Sequence, residues 1–316
     1  MLAPWSFDKL TRTAFGRSVS RRTDVPALYG EWFLERMKAG FAEYEPAGPP
    51  RRIRCSLRPD DVTHFNFWSK WPRPFFPVLG RLLDAGYPAL WNVTITGLGA
   101  TAVEPGVPAA ATTVNAVADL ARMAGNHAIQ WRYDPIFVSA AYPVAHHLAA
   151  FRRLAGELAG RVDRVAVSFL IPFARRVAPH LRKYEAATGD RVAALPLAAQ
   201  LDLLGALREL ACAAGVRFTV CCSPALRGGA GCGVSGCNSW EWLRRVYPVF
   251  ARDRHRPARG EDGCTCGREI DVGAYDTCTL GCVYSYGTCD RARARSRLAA
   301  HRPEAVGIAP SPFTIL

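Results

Sequence analysis

Short apolar runs alternate with longer amphipathic stretches through the first two thirds of the chain. The runs at 17–20, 53–57, 64–68, 90–96, 128–133, 165–170 and 217–222 read as strands. Apolar residues at helical spacing predict helices at 29–39, 74–85, 113–124, 144–158 and 197–213. Most of the strand runs are continuously apolar, as expected of strands covered on both faces. Strand followed by helix, repeated, predicts an α/β protein with a parallel sheet and right-handed crossovers. About six or seven such units suggest a complete or partial (β/α) TIM-like barrel. An open doubly wound sheet is the alternative, but no Gly-x-Gly-x-x-Gly follows a first strand to support dinucleotide binding.

The pattern breaks after residue 223. SPALRGGAGCGVSGCNS is rich in glycine, serine and cysteine, and ARDRHRPARGEDGCTCGREIDVGAYDTC is charged and irregular. The chain therefore divides into a (β/α) barrel domain at 1–223 and a cysteine-rich segment at 224–316 packed on it. That segment buries little apolar surface alone, and a bound metal can supply the missing fixing energy.

The chain has 316 residues and is 49% hydrophobic, enough for a sizeable core. It has no run of about 18 apolar residues, so no membrane span is expected. The start, MLAPWSFDKLTRTAFGR, lacks a basic head followed by an apolar stretch, so a cytoplasmic location is expected. The net charge of +13 invites a nucleic-acid reading. However, the cations are 36 arginines and four lysines amid abundant alanine, glycine and proline, a bias that GC-rich coding produces equally well. The densest basic run, DRARARSR at 290–297, reads as a solvated helix. A small-molecule or nucleic-acid-derived substrate is preferred to direct nucleic-acid binding.

Polar residues accumulate where the predicted strands end, which in a parallel barrel is the active-site face. SVSRRTDVP supplies Ser20, Arg21, Arg22, Thr23 and Asp24; FWSKWP supplies Ser69 and Lys70; WNVTITGLG supplies Thr94 and Thr96; QWRYDP supplies Arg132 and Asp134; SFLIPF supplies Ser168. Any one Arg–Asp pair is as well explained as a loop lock. Several on one edge imply a polar, anion-friendly pocket. No Gly-x-Ser-x-Gly in a strand–turn–helix context and no His-Glu-x-x-His occurs. His146 and His147 fall inside an amphipathic helix and read as surface or core residues.

Eleven cysteines need a cause, and ten of them lie between Cys212 and Cys289. An odd count in an unsecreted chain of this size argues against a disulfide scaffold and for metal binding. Cys55 and Cys212 read as buried thiols acting as small hydrophobes, and Cys221 and Cys232 as spare thiols. The spacings in the cysteine-rich stretch are C-x4-C, C-x-C and C-x3-C, with no C-x2-C knuckle, which favours iron–sulfur over zinc.

SVSRRTDVPALYGEWF, FWSKWPRPF, NVTITGLG, QWRYDPI and the tail CTCGREIDVGAYDTCTLGCVYSY together resemble an uncharacterised bacterial family, a domain of unknown function with an N-terminal SRRTD motif. Its C-terminal cysteine cluster is similar to that of radical S-adenosylmethionine enzymes. The resemblance covers roughly residues 18–286. It implies a 4Fe-4S cluster whose open iron takes S-adenosylmethionine and whose electron releases an adenosyl radical. It also implies an electron donor such as ferredoxin or flavodoxin. The family's C-x3-C-x2-C falls on Cys278, Cys282 and Ser285, so a serine stands where the third thiolate belongs. Three arrangements remain open: Ser285 ligates weakly, Cys289 replaces it, or the S-adenosylmethionine-type cluster is lost. Cys222, Cys237, Cys264 and Cys266 form a second possible set, for a closed auxiliary cluster or for zinc. On this resemblance Arg21, Arg22, Asp24, Lys70, Arg132 and Asp134 are candidate catalytic residues. Ser20, Thr94, Thr96, Ser168 and Tyr284 are candidate cofactor-binding residues. The rival reading is a non-catalytic metal-stapled module that binds nucleic acid through its arginines.

Overall fold

The computed structural model describes residues 1–46, 51–221, 223–229, 236, 238–252, 266–267 and 269–310. The strands are β1 (Phe15–Val19), β2 (Phe41–Tyr44), β3 (Ile53–Ser56), β4 (Val62–Ser69), β5 (Ala89–Thr94), β6 (Ile129–Ile136), β7 (Arg164–Phe169), β8 (Arg217–Val220) and β9 (Glu269–Asp271). The helices are α1 (Val25–Leu28), α2 (Gly30–Ala39), α3 (Phe76–Asp84), α4 (Ala110–Ala124), α5 (Val144–Leu158), α6 (Ala178–Thr188), α7 (Leu197–Ala213), α8 (Pro224–Gly229), α9 (Trp240–Val246) and α10 (Arg291–Ala300).

Seven strands form a parallel sheet in the order β8-β7-β6-β5-β4-β1-β9. β8 and β9 are its edges, so the sheet is open. This corrects the expectation of a complete barrel: the architecture is a partial β/α fold. One physical reason lies at 53–57. That run pairs antiparallel with β2 in a separate two-stranded sheet and adds nothing to the main one. No described helix is long and apolar enough to cross a membrane.

The chain divides into two compact units, Met1–Trp91 with Glu269–Gly281 and Ser285–Leu316, and Asn92–Arg268 with Cys282–Tyr284. In the first, the centre of β4 alternates apolar with polar over residues 64–67. Phe65 and Phe67 face α2, with the Phe33 ring 5.3 and 5.8 Å away, and Phe67 stacks on Trp91 at 4.7 Å. The residues between, His64 and Asn66, are polar and buried, as is Ser18 beside Asn66 in β1. These strands are thus covered on both faces, but one face is polar, which a reading for apolar runs does not anticipate. Arg17 is buried because the carbonyls of Ser56, Asp61 and Phe15 surround its guanidinium at 2.8–3.1 Å. The chain after α10 ties the unit together: Trp32 Nε1 donates to the Ala305 carbonyl at 2.8 Å and the Glu43 N–H to the Val306 carbonyl at 2.7 Å.

In the second unit β6, β7 and β8 run parallel in register, Gln130 to Arg164 to Arg217. Trp131 stacks on Phe151 of α5 at 4.7 Å and donates to the Ile95 carbonyl at 2.8 Å. At the starts of β7 and β8 the buried Asp163 carboxylate accepts from Arg217 and Arg245. His147 is a core residue. Its Nε2 donates to the Phe137 carbonyl at 2.9 Å, which leaves Nδ1 to accept from the Tyr133 hydroxyl at 2.8 Å. Burial pushes its pKa down from 6.5 to about 4.

A histidine held neutral in the fold titrates at higher pH once unfolded. The unfolded chain therefore binds more protons between about pH 6.5 and 4, and stability falls as pH falls through that window. About 2 kcal/mol should be lost between pH 7 and 5. His147→Gln should flatten this dependence in urea denaturation at the two pH values, whatever its own stability. An unchanged pH slope in the variant would refute the assignment.

Candidate functional site

In the first unit β9 runs beside β1 and fixes the SRRTD loop. Gly16 pairs with Glu269 and Ser18 with Asp271. Asp271 Oδ1 accepts from the Ser20 hydroxyl at 2.7 Å, the Gly273 N–H at 2.8 Å and Arg22 Nε at 3.4 Å; Oδ2 accepts from the Arg21 N–H at 2.9 Å. Arg22 also donates to the Asp271 and Glu45 carbonyls at 2.9 and 2.5 Å. The Ser20 hydroxyl in turn accepts from the Arg22 N–H at 3.0 Å, which curls the chain as it leaves β1. The approach is close enough that a Cβ on Gly273 would lie 1.8 Å from Ser20 Oγ.

Glu269 performs the same service one level down. Its side chain is 1% exposed; Oε2 accepts from Arg21 at 3.0 Å, and Oε1 faces Asn66 Nδ2 at 3.0 Å and His64 Nε2 at 3.2 Å. The Arg21 guanidinium lies over the Trp68 ring, 5.2 Å from its centre. Asp24 caps α1 through the Ala27 N–H at 3.0 Å and accepts the Lys70 N–H at 2.7 Å, so it locks the loop after β4 as well. Burial pushes its pKa up to about 6, against the hydrogen bonds from Lys70, Ser69 and Ala27.

The cysteine loop lies on this same surface of the first unit. Thr277 meets Thr23 hydroxyl to hydroxyl, and its carbonyl accepts from Tyr29 at 2.7 Å. Gly287 abuts the Arg22 carbonyl, which a Cβ there would approach to 2.3 Å. The Thr288 hydroxyl donates to the Cys278 carbonyl at 3.1 Å, and Asp276 accepts the Cys289 N–H at 2.7 Å. Cys278 is half-buried, within the electrostatic reach of Asp24 and Lys70. Burial first, and then the Asp24 charge, push its thiol up to about 11. Ser285 is half-buried and Cys289 exposed.

The second unit holds the other predicted residues. Arg132 and Ser168 both donate to the Asp134 carboxylate, at the ends of β6 and β7. Thr94 is half-buried at the end of β5. Thr96 donates to the buried Glu104 at 2.5 Å, and the Tyr284 hydroxyl donates to the same Glu104 oxygen. Burial, and then the Glu104 and Cys282 charges, hold the Tyr284 phenol well above its ordinary pKa. Cys282 is buried. Cys266 is also buried, bridged antiparallel to Ser239. Cys222, Cys237 and Cys264, like Cys232, lie outside the described residues. Of the two thiols read as core hydrophobes, Cys55 is buried but Cys212 is exposed on α7, a correction that follows from its place on the helix's outer side.

Glu269, Asp271, His64, Asn66 and Glu104 were not among the sequence candidates. The signal for the first two was present in REID: acids two apart in a strand point to one face. Among the described residues no three His, Cys, Asp or Glu side chains gather closely enough to hold a metal ion. The donor chemistry of Cys278 and Cys282 nonetheless suits a soft metal, since a bound cation would take the place of the thiol proton.

Over residues 17–287 the chain matches the model of a family described as Domain of unknown function (DUF1848). No curated protein matches it.

Asp271→Ala should cost about 2–4 kcal/mol in chemical denaturation, because it strands several donors at once. Asp290→Ala, which removes the α10 cap on the Arg293 N–H and an exposed ion pair with Arg293, should cost much less. Equal losses would mean that Asp271 does not hold the loop.

Proposed function

We propose that this chain, which belongs to the DUF1848 family, is an iron–sulfur protein acting as a radical-S-adenosylmethionine-like redox enzyme. The observation that carries the reading is the packing of the Cys278–Cys289 loop on the SRRTD loop, which keeps the Cys278 thiol near Asp24 and Lys70. In this reading Cys278, Cys282 and either Cys289 or Ser285 hold the catalytic cluster. Cys222, Cys237, Cys264 and Cys266 hold an auxiliary one, with zinc as the alternative there. When bound, cluster and S-adenosylmethionine supply one-electron radical chemistry.

The chain's own residues bind and orient. Arg21 and Lys70 offer cationic groups to a carboxylate or phosphate, with Arg21 held in place by Glu269 and Trp68. Arg22 and Asp24 keep the loops in place through backbone bonds. The electron comes from a small donor such as ferredoxin or flavodoxin. The second reading is a metal-stapled module on nucleic acid, favoured by α10 with its four arginines. Its mark would be binding that weakens steeply with salt and ignores S-adenosylmethionine.

Protein purified without oxygen should contain iron and acid-labile sulfide, about four of each per cluster. Cys278→Ala should lower both. If Ser285→Cys raises iron from about four to about eight per chain, the serine has disabled one of two clusters. Zinc without iron in both wild type and Ser285→Cys would overturn the redox reading.

A further inference from the structure

Ser18 lies in β1, fully buried, and its hydroxyl has no hydrogen-bond partner among the described residues. Asn66 of β4 and Asp271 of β9 are its register neighbours. Side chains alternate between faces along a strand, so Ser18, Asn66, Glu269 and Asp271 share one face, the one opposite Phe65 and Phe67. Below Ser18 the space is filled: a Cβ on Gly16 would lie 2.5 Å from the His64 ring and 3.1 Å from the Glu269 side chain. The His64–Glu269 pair is therefore a floor, to which Asn66 and the Arg21 guanidinium also bond, and Ser18 is the next strand residue above it on this face. At the C-terminal end of the same strands stand Arg21, seated on Trp68, and Lys70. Ligands of parallel sheets bind beyond that edge.

A hydroxyl shut away from water without a partner is unfavourable, and native folds rarely leave one so. Here the unpartnered hydroxyl faces a polar surface that ends in cations. We propose that this face of the first unit binds an oxyanion carried on a hydroxylated carbon chain. The anion meets Arg21 and Lys70, and a ligand hydroxyl reaches down to Ser18 beside Asn66. A phosphate ester and a sugar-acid carboxylate share this chemistry. The inference rests on Arg21 and Lys70 being a ligand-binding rim and is independent of the iron–sulfur cluster.

The test is calorimetric titration of the full chain with ribose 5-phosphate, ribonate, inorganic phosphate and ribose. Ribose 5-phosphate or ribonate should bind at least about tenfold more tightly than inorganic phosphate, the equivalent of one added hydrogen bond. Whichever of the two binds more tightly identifies the source of the anion. Ser18→Ala should erase that increment and leave phosphate affinity unchanged, while Arg21→Gln should weaken every anion. Should Arg21→Gln fail to fold, Lys70→Gln carries the same expectation. If ribose 5-phosphate and ribonate bind no better than phosphate and Ser18→Ala is silent, Ser18 serves only a buried water. The inference then falls while the cationic rim stands. If no anion binds at all, the rim falls with it, and iron content alone decides the redox reading.

Discussion

The first unit depends on one carboxylate. Asp271 accepts from two backbone N–H groups, a hydroxyl and a guanidinium, all belonging to its own strand end or to the SRR turn. A partly buried carboxylate with so many donors is stable only as a set, since removing the acceptor leaves every donor short at once. The glycines follow from it. Gly273 has to be bare for Ser20 to reach Asp271, and Gly287 has to be bare for the cysteine loop to lie on Arg22. The SRRTD, EIDVG and YGTC stretches are thus three pieces of one packed surface.

Glu269 extends the same logic into the chemistry. A guanidinium left to itself samples many rotamers, and ordering it on binding costs entropy. Arg21 is ordered in advance by an ion pair with Glu269 and by the Trp68 ring. Glu269 is itself held by Asn66 and His64. In the second unit Glu104 has a comparable place, joining the Thr96 turn to Tyr284. In each unit, then, a buried acid unread in the sequence orients a residue that was read.

What the sequence made legible follows from period and length. The helices at 144–158 and 197–213 coincide with α5 and α7 because their apolar residues repeat at the helical spacing over many turns. The strands under the aromatic core were legible because Phe65, Phe67, Trp91 and Trp131 mark them. α6 escaped, since APHLRKYEAAT mixes charge and a proline into a short helix. β9 escaped because it has three residues, two of them acids, and owes its existence to a partner strand some 250 positions away. The polar candidates at the strand ends were legible as a class. Their buried partners were not, because a residue such as Glu269 acquires meaning only from the three strands that converge on it.

The pairing of β1 with β9 has a consequence for how the protein is made. β1 leaves the ribosome some 250 residues before β9, with Asn92–Arg268 of the second unit emerging between them. Until then one edge of β1 has its peptide groups unpaired, beside a loop whose anchoring carboxylate has not yet been translated. An open strand edge is a template for pairing with other chains. The first unit is therefore begun before the second and completed after it, and a nascent chain that stalls short of residue 271 carries an exposed edge that the finished protein does not.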